Sequence, residues 1–230
     1  MITFKGRHAP KCIILQCVRW YCAYSLIYRN IEEMMAERGM KVDHSTLNRW
    51  VVYYASKLEK TFHQKKKRPG SRWRLDETYI KVRGEWRYYN RTVDRQGNTV
   101  DFLLTAKRDT KAAARFLNKF ISRNGQPSMI NIDKSGANKA GINRFNQENH
   151  RRVKIRQCKY LNNVVAQVVR QSDHRRIKRI TRSMLGFKSF HCAQSTLAGI
   201  ELVAMLKKGQ MKKNLAGALT PTAQFYALAA

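Results

Sequence analysis

Two aspartates in strand-like stretches, Asp76 in WRLDETYIKV and Asp133 in PSMINID, are the residues of this chain whose type and setting most invite chemistry. Acids are scarce here, with 46 Lys and Arg against 15 Asp and Glu, a net charge of +31. Carboxylates that project from neighbouring strands converge and repel one another unless a divalent cation joins them. Magnesium, or manganese in its place, favours carboxylate and phosphate oxygens. A pair of such ions about 3.5–4 Å apart activates the attacking oxygen and stabilises the leaving one in phosphoryl transfer. A lone strand aspartate more often caps a turn or pairs with an arginine. Two of them in so basic a chain point instead to cutting or joining nucleic-acid strands.

The elements that must position these acids follow from period and punctuation. WRLDETYIKV, EWRYYNRTVD and NTVDFLLTA are rich in β-branched and aromatic residues and are separated by Gly84 and by RQG at 95–97, which predicts an antiparallel meander. TKAAARFLNKFISRNG, 110–125, sets Ala113, Phe116, Leu117 and Phe120 on one helical face and stops at Gly125. A short strand at 127–133 ends in Asp133, a helix follows near 136–148, RVKIRQ is another strand, and the chain is then helical to about 208. The fold class is therefore α/β, a mixed sheet flanked by helices, preceded by an all-α segment.

That first segment carries its own signature. CIILQCVRWYCAYSLIY, 12–28, is too short for a bilayer and holds Gln16 and Arg19, so it reads as a buried helix and no membrane partner is expected. IEEMMAERG ends in a C-cap glycine, and after a short turn Asp43 caps a helix with Leu47, Trp50, Val51 and Tyr54 on one stripe. Helix, tight glycine turn, helix is the helix-turn-helix arrangement, which sets His44, Ser45, Asn48 and Arg49 where base edges are met. The plainer reading is a helical hairpin packed on a core, and the charge favours DNA. HQKKKRPGSRWR reads as a basic linker near a phosphate backbone. Cys12, Cys17, Cys22, Cys158 and Cys192 show no zinc spacing and fit reduced thiols in a cytoplasm.

The segments VRWYCAYSLIYRNIEEMMAERGMKVDHSTLNRWV, WRLDETYIKVRGEWRYYNRTVDRQGNTVDFLLTAKRD, NIDKSGANKAGI, KYLNN, DHRRIKR and MLGFKSFHCAQSTLAGIELVAMLKKGQ resemble the bacterial insertion-sequence transposases of the IS-six (IS-twenty-six-like) family, from about residue 4 to 210. The resemblance implies a helix-turn-helix domain at 1–62, a basic linker at 63–72, a ribonuclease H-like DDE catalytic domain at 73–208 and a variable tail at 209–230. It implies magnesium held by an acidic triad, with Asp76 and Asp133 as its first two members. It also implies action on double-stranded DNA, both the element's terminal inverted repeats and the target, by a homo-oligomer in the bacterial cytoplasm at the nucleoid. Arg175, Arg176, Lys178 and Arg179 of DHRRIKR would follow DNA phosphates, on a helix whose Ile177, Ile180 and Met184 form an apolar stripe. Glu148 and Glu201, outside the motifs, read as solvated helix charges.

The third acid of the triad is where the chain departs from the family pattern. The glutamate of a motif like NNxxEQDHRRIKR falls on Ala166 when read from Asn162 and Asn163, and on Gln171 when read back from Asp173 and His174. Five extra residues lie between the anchors, and VVAQ followed by VVRQ resembles a local duplication. Asp173 is seven residues past Ala166, about 10.5 Å along a helix, far beyond a metal–oxygen bond of about 2.1 Å. Three readings follow: a transposase impaired in strand cleavage and transfer, a catalytically inactive DNA-binding remnant or repressor of the element, and, more remotely, a basic structural or RNA-binding protein.

Overall fold

Pro10 ends the extended approach to α1 (Lys11–Ala23), which buries Ile14, Leu15, Cys17, Val18, Tyr21 and Cys22 on its inner side. In α2 (Tyr28–Ala36), Ile31 and Met35 are fully buried. Its end closes as a glycine turn. Gly39 sits at φ +71°, and the amides of Gly39 and Met40 donate to the carbonyls of Ala36 and Met35 at 2.9 and 3.0 Å. Asp43 then caps α3 (His44–Lys65), its carboxylate accepting from the amides of Ser45 and Thr46 at 2.9 and 3.0 Å. The glycine turn and the Asp43 cap fall where the sequence predicts them, whereas the helix expected over 12–28 ends at Ala23, where Tyr24 turns extended, and Tyr28 already opens α2.

The computed structural model describes residues 2–133, 136–149, 152–158, 167–212 and 219–230, except the side chains of 137 and 167–174. Among them the chain forms two compact units, 1–67 with 176–230, and 68–175. In the first, α7 (Phe190–Lys207) is apolar round most of its circumference and is buried continuously from Ser195 to Leu206. A helix hydrophobic on all sides belongs in a core, and α7 packs against α3 and α1. Gly199 allows the closest approach, because a Cβ there would overlap Cys22 Sγ and sit 3.0 Å from Ala55 Cβ. A short α8 (Pro221–Ala227), capped by the Thr220 hydroxyl, covers α7 and buries Phe225, while Lys11 Nζ donates to the Ala229 carbonyl at 2.7 Å. These compact units differ from the boundaries expected at 62, 72 and 208. Residues 176–207 cluster with the N-terminal helices, the last residues carry core side chains, and part of the expected linker is tied down: Lys66 is buried and Lys67 donates its amide to Gln210 at 2.8 Å.

In the second unit, β1 (Arg72–Val82), β2 (Glu85–Asp94) and β3 (Thr99–Thr105) form the antiparallel meander. Next come α4 (Thr110–Asn124), β4 (Met129–Ile132), α5 (Gly136–Glu148) and β5 (Lys154–Gln157). The five-stranded sheet has the order β3-β2-β1-β4-β5, with β4 parallel to both β1 and β5. This mixed topology is that of the ribonuclease H-like fold. One sheet face, through Trp73, Leu75, Ile130 and Ile132, packs with Phe116, Leu117 and Phe120 of α4 and Ile142 and Phe145 of α5. A helix α6 (Gln167–Ser183) spans the boundary between the units in sequence. No helix among the described residues is long and apolar enough to cross a membrane.

Candidate active site

The parallel pairing of β1 with β4 positions the two expected acids. Trp73 is level with Ile130 and Arg74 with Asn131. Carried on two residues, that register sets Asp76 level with Asp133, which follows directly on the end of β4. Side chains alternate along a strand. Trp73 and Leu75 face the α4–α5 core together with Ile130 and Ile132, so Asp76 and Asp133 share the opposite face. Asp76 is half-buried and Asp133 exposed. The Glu77 amide donates to Asp76 Oδ1 at 3.0 Å, which fixes the carboxylate against its own strand.

Glu77 supplies a third carboxylate nearby that sequence reasoning passed over. Its side chain is only 7 % exposed, and Arg108 Nε donates to it at 3.0 Å. Burial pushes the Glu77 carboxyl above the usual carboxylate range. Arg108 pulls it back, while the charges of Asp133 and then Asp76 push it up again. The three acids thus share one region of negative potential within a strongly basic chain. Other strand acids are committed to structure. Asp94 accepts from the amides of Gln96 and Asn98, both at 2.9 Å, in the β2–β3 turn. The fully buried Asp101 lies 3.1 Å from Lys119 Nζ.

The expected DNA-facing residues separate into two groups. At the start of α3, Ser45 and Arg49 are exposed, with Arg49 donating to Thr46 Oγ1 at 2.8 Å. His44 is held by Glu32, Nδ1 to Oε2 at 3.2 Å, and Asn48 turns inward to donate to the Tyr28 hydroxyl at 3.1 Å. A cleft of about 240 Å³ opens beside this helix start, lined among others by Arg7, His8, Lys41 and Arg49. Its one acid, Asp43, has its carboxylate engaged by Ser45 and Thr46, and those bonds hold it well below the usual carboxylate range. Arg7 and Lys41 carried no motif, and only the fold brings them to Arg49.

On α6, Arg175, Lys178 and Arg179 are exposed. Arg176 instead lies half-buried, 3.9 Å from the carboxylate of Glu201, which is fully buried on α7. Glu201 is therefore no solvated charge. Its place inside an unbroken apolar run was the signal that it faces the core. Ala166 lies outside the described residues, as do the side chains of Gln171, Asp173 and His174. Glu148 is on the surface as expected, paired with Arg144 at 2.6 Å.

A DDE-domain family model matches residues 70–210, spanning both acids and all of α7. The transposase for the insertion sequence-like element IS431mec of Staphylococcus aureus is 36 % identical over 224 residues, covering 94 % of each chain. The chain belongs to the IS-six family of DDE transposases. The transposase for insertion sequence element IS257 in transposon Tn4003 of Staphylococcus aureus is 35 % identical over 94 % of this transposase and 94 % of its own length. Among solved structures, the catalytic core domain of BIV integrase superposes with a TM-score of 0.44 at 16 % identity, over 58 % of this transposase and 83 % of that chain.

Proposed function

We propose that this transposase binds the terminal inverted repeats of its insertion sequence as duplex DNA and carries out metal-dependent strand cleavage and transfer, with Asp76 and Asp133 as metal ligands. The observation that carries the reading is the register of β1 on β4, which aligns the two carboxylates on one sheet face. The donor set fits magnesium or manganese: hard carboxylate oxygens on one sheet face, whose charges add to the burial that raises the neighbouring Glu77 carboxyl. When bound, the metal would polarise the scissile phosphate and sharpen the attacking oxygen. The protein's own part is to hold Asp76 within β1 and Asp133 at the end of β4, the strand paired with it. The Glu77–Arg108 pair braces β1 beside them.

DNA is held by cations. Helix α2, the Gly39 turn and α3 act as the helix-turn-helix, with Ser45 and Arg49 toward the groove and Arg7 and Lys41 on phosphates. His44 and Asn48 reach DNA only by leaving Glu32 and Tyr28. Arg175, Lys178 and Arg179 track phosphates along α6. The work is done by a homo-oligomer assembled on the DNA ends, at the bacterial nucleoid.

The missing glutamate favours a second reading, a chain that binds repeats without cutting them. The deciding experiment is strand transfer with magnesium, comparing the natural chain with one in which VVAQVVRQSDH, 164–174, is replaced by VVEQDH. Activity only in the repaired chain assigns the natural one to binding. In the repaired background, Asp76→Asn and Asp133→Asn are each expected to lower strand transfer by more than about 100-fold and to weaken magnesium binding, since outer-shell partners alone cost about 10–100-fold. Unchanged magnesium titrations and rates in both variants overturn the ligand assignment.

A further inference from the structure

The far end of the β1–β2 hairpin carries side chains that neither the acidic site nor the helix-turn-helix uses. Tyr79 is 46 % exposed and Trp86 62 %, an unusual cost for large rings in a folded chain. Tyr79 pairs across the strands with Tyr88, and Lys81 with Trp86. By alternation all four stand on one sheet face, the face that holds Leu75 and Glu77 nearer the core. The Tyr79 and Tyr88 rings meet edge to face at 5.6 Å, and Lys81 Nζ stands 6.0 Å from the Trp86 ring centre. The turn itself, Arg83 and Gly84, has positive φ at both residues, the tight form that keeps a hairpin end narrow. The two acids nearest this end are already matched, Glu85 with Arg87 and Glu77 with Arg108. What faces outward is aromatic and cationic.

That combination selects an occupant. A stacking ring beside a cation suits an unpaired nucleobase and its phosphate, because every base offers a π-face and the backbone a negative charge. Duplex DNA hides those faces within its own stack. The ladder begins three residues along β1 from Asp76 and reaches the Lys81–Trp86 pair after five, about 16 Å away at 3.3 Å per residue. We propose that the Tyr79–Lys81–Trp86 face is a single-stranded DNA site that stacks unpaired bases at the far end of the hairpin, on the sheet face opposite the paired aspartates. The inference rests on the reading of this transposase as a DNA-processing protein and adds the state of the DNA it holds.

The test measures binding of fluorescein-labelled oligothymidylate and of a labelled duplex repeat end to the full chain by anisotropy, for the natural protein and for Trp86→Ala, Trp86→Phe and Tyr79→Ala. Trp86→Ala is expected to weaken single-strand binding about tenfold and to leave duplex binding within about twofold. Trp86→Phe should keep most of the single-strand affinity. Equal single-strand binding by Trp86→Ala and the natural protein overturns the site, as does duplex binding with no single-strand binding at all. Loss of protein–protein association in Trp86→Ala, seen by sedimentation with single-strand binding unchanged, would make a second copy of the chain the occupant and also overturns it. Failure of the natural protein to bind either DNA removes the DNA reading itself and this inference with it.

Discussion

At the scale of single residues, two arginines three positions apart on α6 have opposite duties. Arg176 stands beside the buried Glu201, whereas Arg179 is exposed and lends only its backbone carbonyl to the Ser25 hydroxyl, at 3.2 Å. Arg176→Ala is expected to cost about 2–3 kcal/mol in urea unfolding, below the full range for a broken buried pair because 3.9 Å is a loose contact. Arg179→Ala and Lys178→Ala should leave the urea midpoint nearly unchanged and flatten the salt dependence of DNA binding by about one counterion each. The cysteines divide in the same way. Burial pushes the Cys17 thiol up to about 11 and Cys22 up to about 12, while Cys12 is exposed. Maleimide at pH 7 should label Cys12 in the native state and reach Cys17 and Cys22 only on unfolding. An unfolded thiol ionises near about 8.5. Between that pH and about 12 the unfolded chain releases a proton that folded Cys22 keeps, so stability falls as pH rises through this window. Cys22→Ala is expected to make the decline in melting temperature above about pH 8.5 shallower.

Elements were legible where local chemistry decides them. Gly39 and Asp43 mark the turn between α2 and α3 in the sequence as clearly as in the structure, because a left-handed C-cap and a carboxylate N-cap are met by few residue types. The alternating strand of Asp76 and the one-faced helix α4 were equally plain. The cap of α4 was not singled out, yet Asp109 accepts from the Ala112 amide at 2.7 Å, and Asp109→Ala should cost about 1 kcal/mol in thermal or urea unfolding. The alignment of Asp76 with Asp133 could not be read beforehand, since strand register depends on pairing partners distant in the chain. Nor could the role of Gly199, whose meaning lies in what α1 places against it. Gly199→Ala forces its new methyl into Cys22 Sγ and should destabilise by about 1–3 kcal/mol. In a double-mutant cycle with Cys22→Ala, part of that loss should be recovered, because removing the sulfur leaves Ala55 Cβ as the nearest neighbour.

Over the whole molecule, sequence order and packing disagree, and the disagreement has a physical source. The family resemblance runs through the catalytic segment into α7, which invites one domain ending at 208. Burial reassigns about the last quarter of that segment. α7 has no polar face to give to solvent, α1 and α3 offer the apolar surface and the small Ala55 that receive it, and α8 closes the arrangement with Phe225. The helical unit is thus completed by chain ends more than 100 residues apart, 1–67 and 176–230. Helices as short as α2 are marginal alone in water and depend on such packing. A fragment of residues 1–67 is therefore expected to lack a cooperative thermal transition by circular dichroism, although it contains the whole of α1, α2 and α3. Joining 176–230 to it through a flexible linker should restore a single cooperative transition. If the 1–67 fragment alone melts cooperatively at the temperature of the joined fragment, α7 is a passenger on a self-sufficient three-helix domain and this account of the unit is wrong.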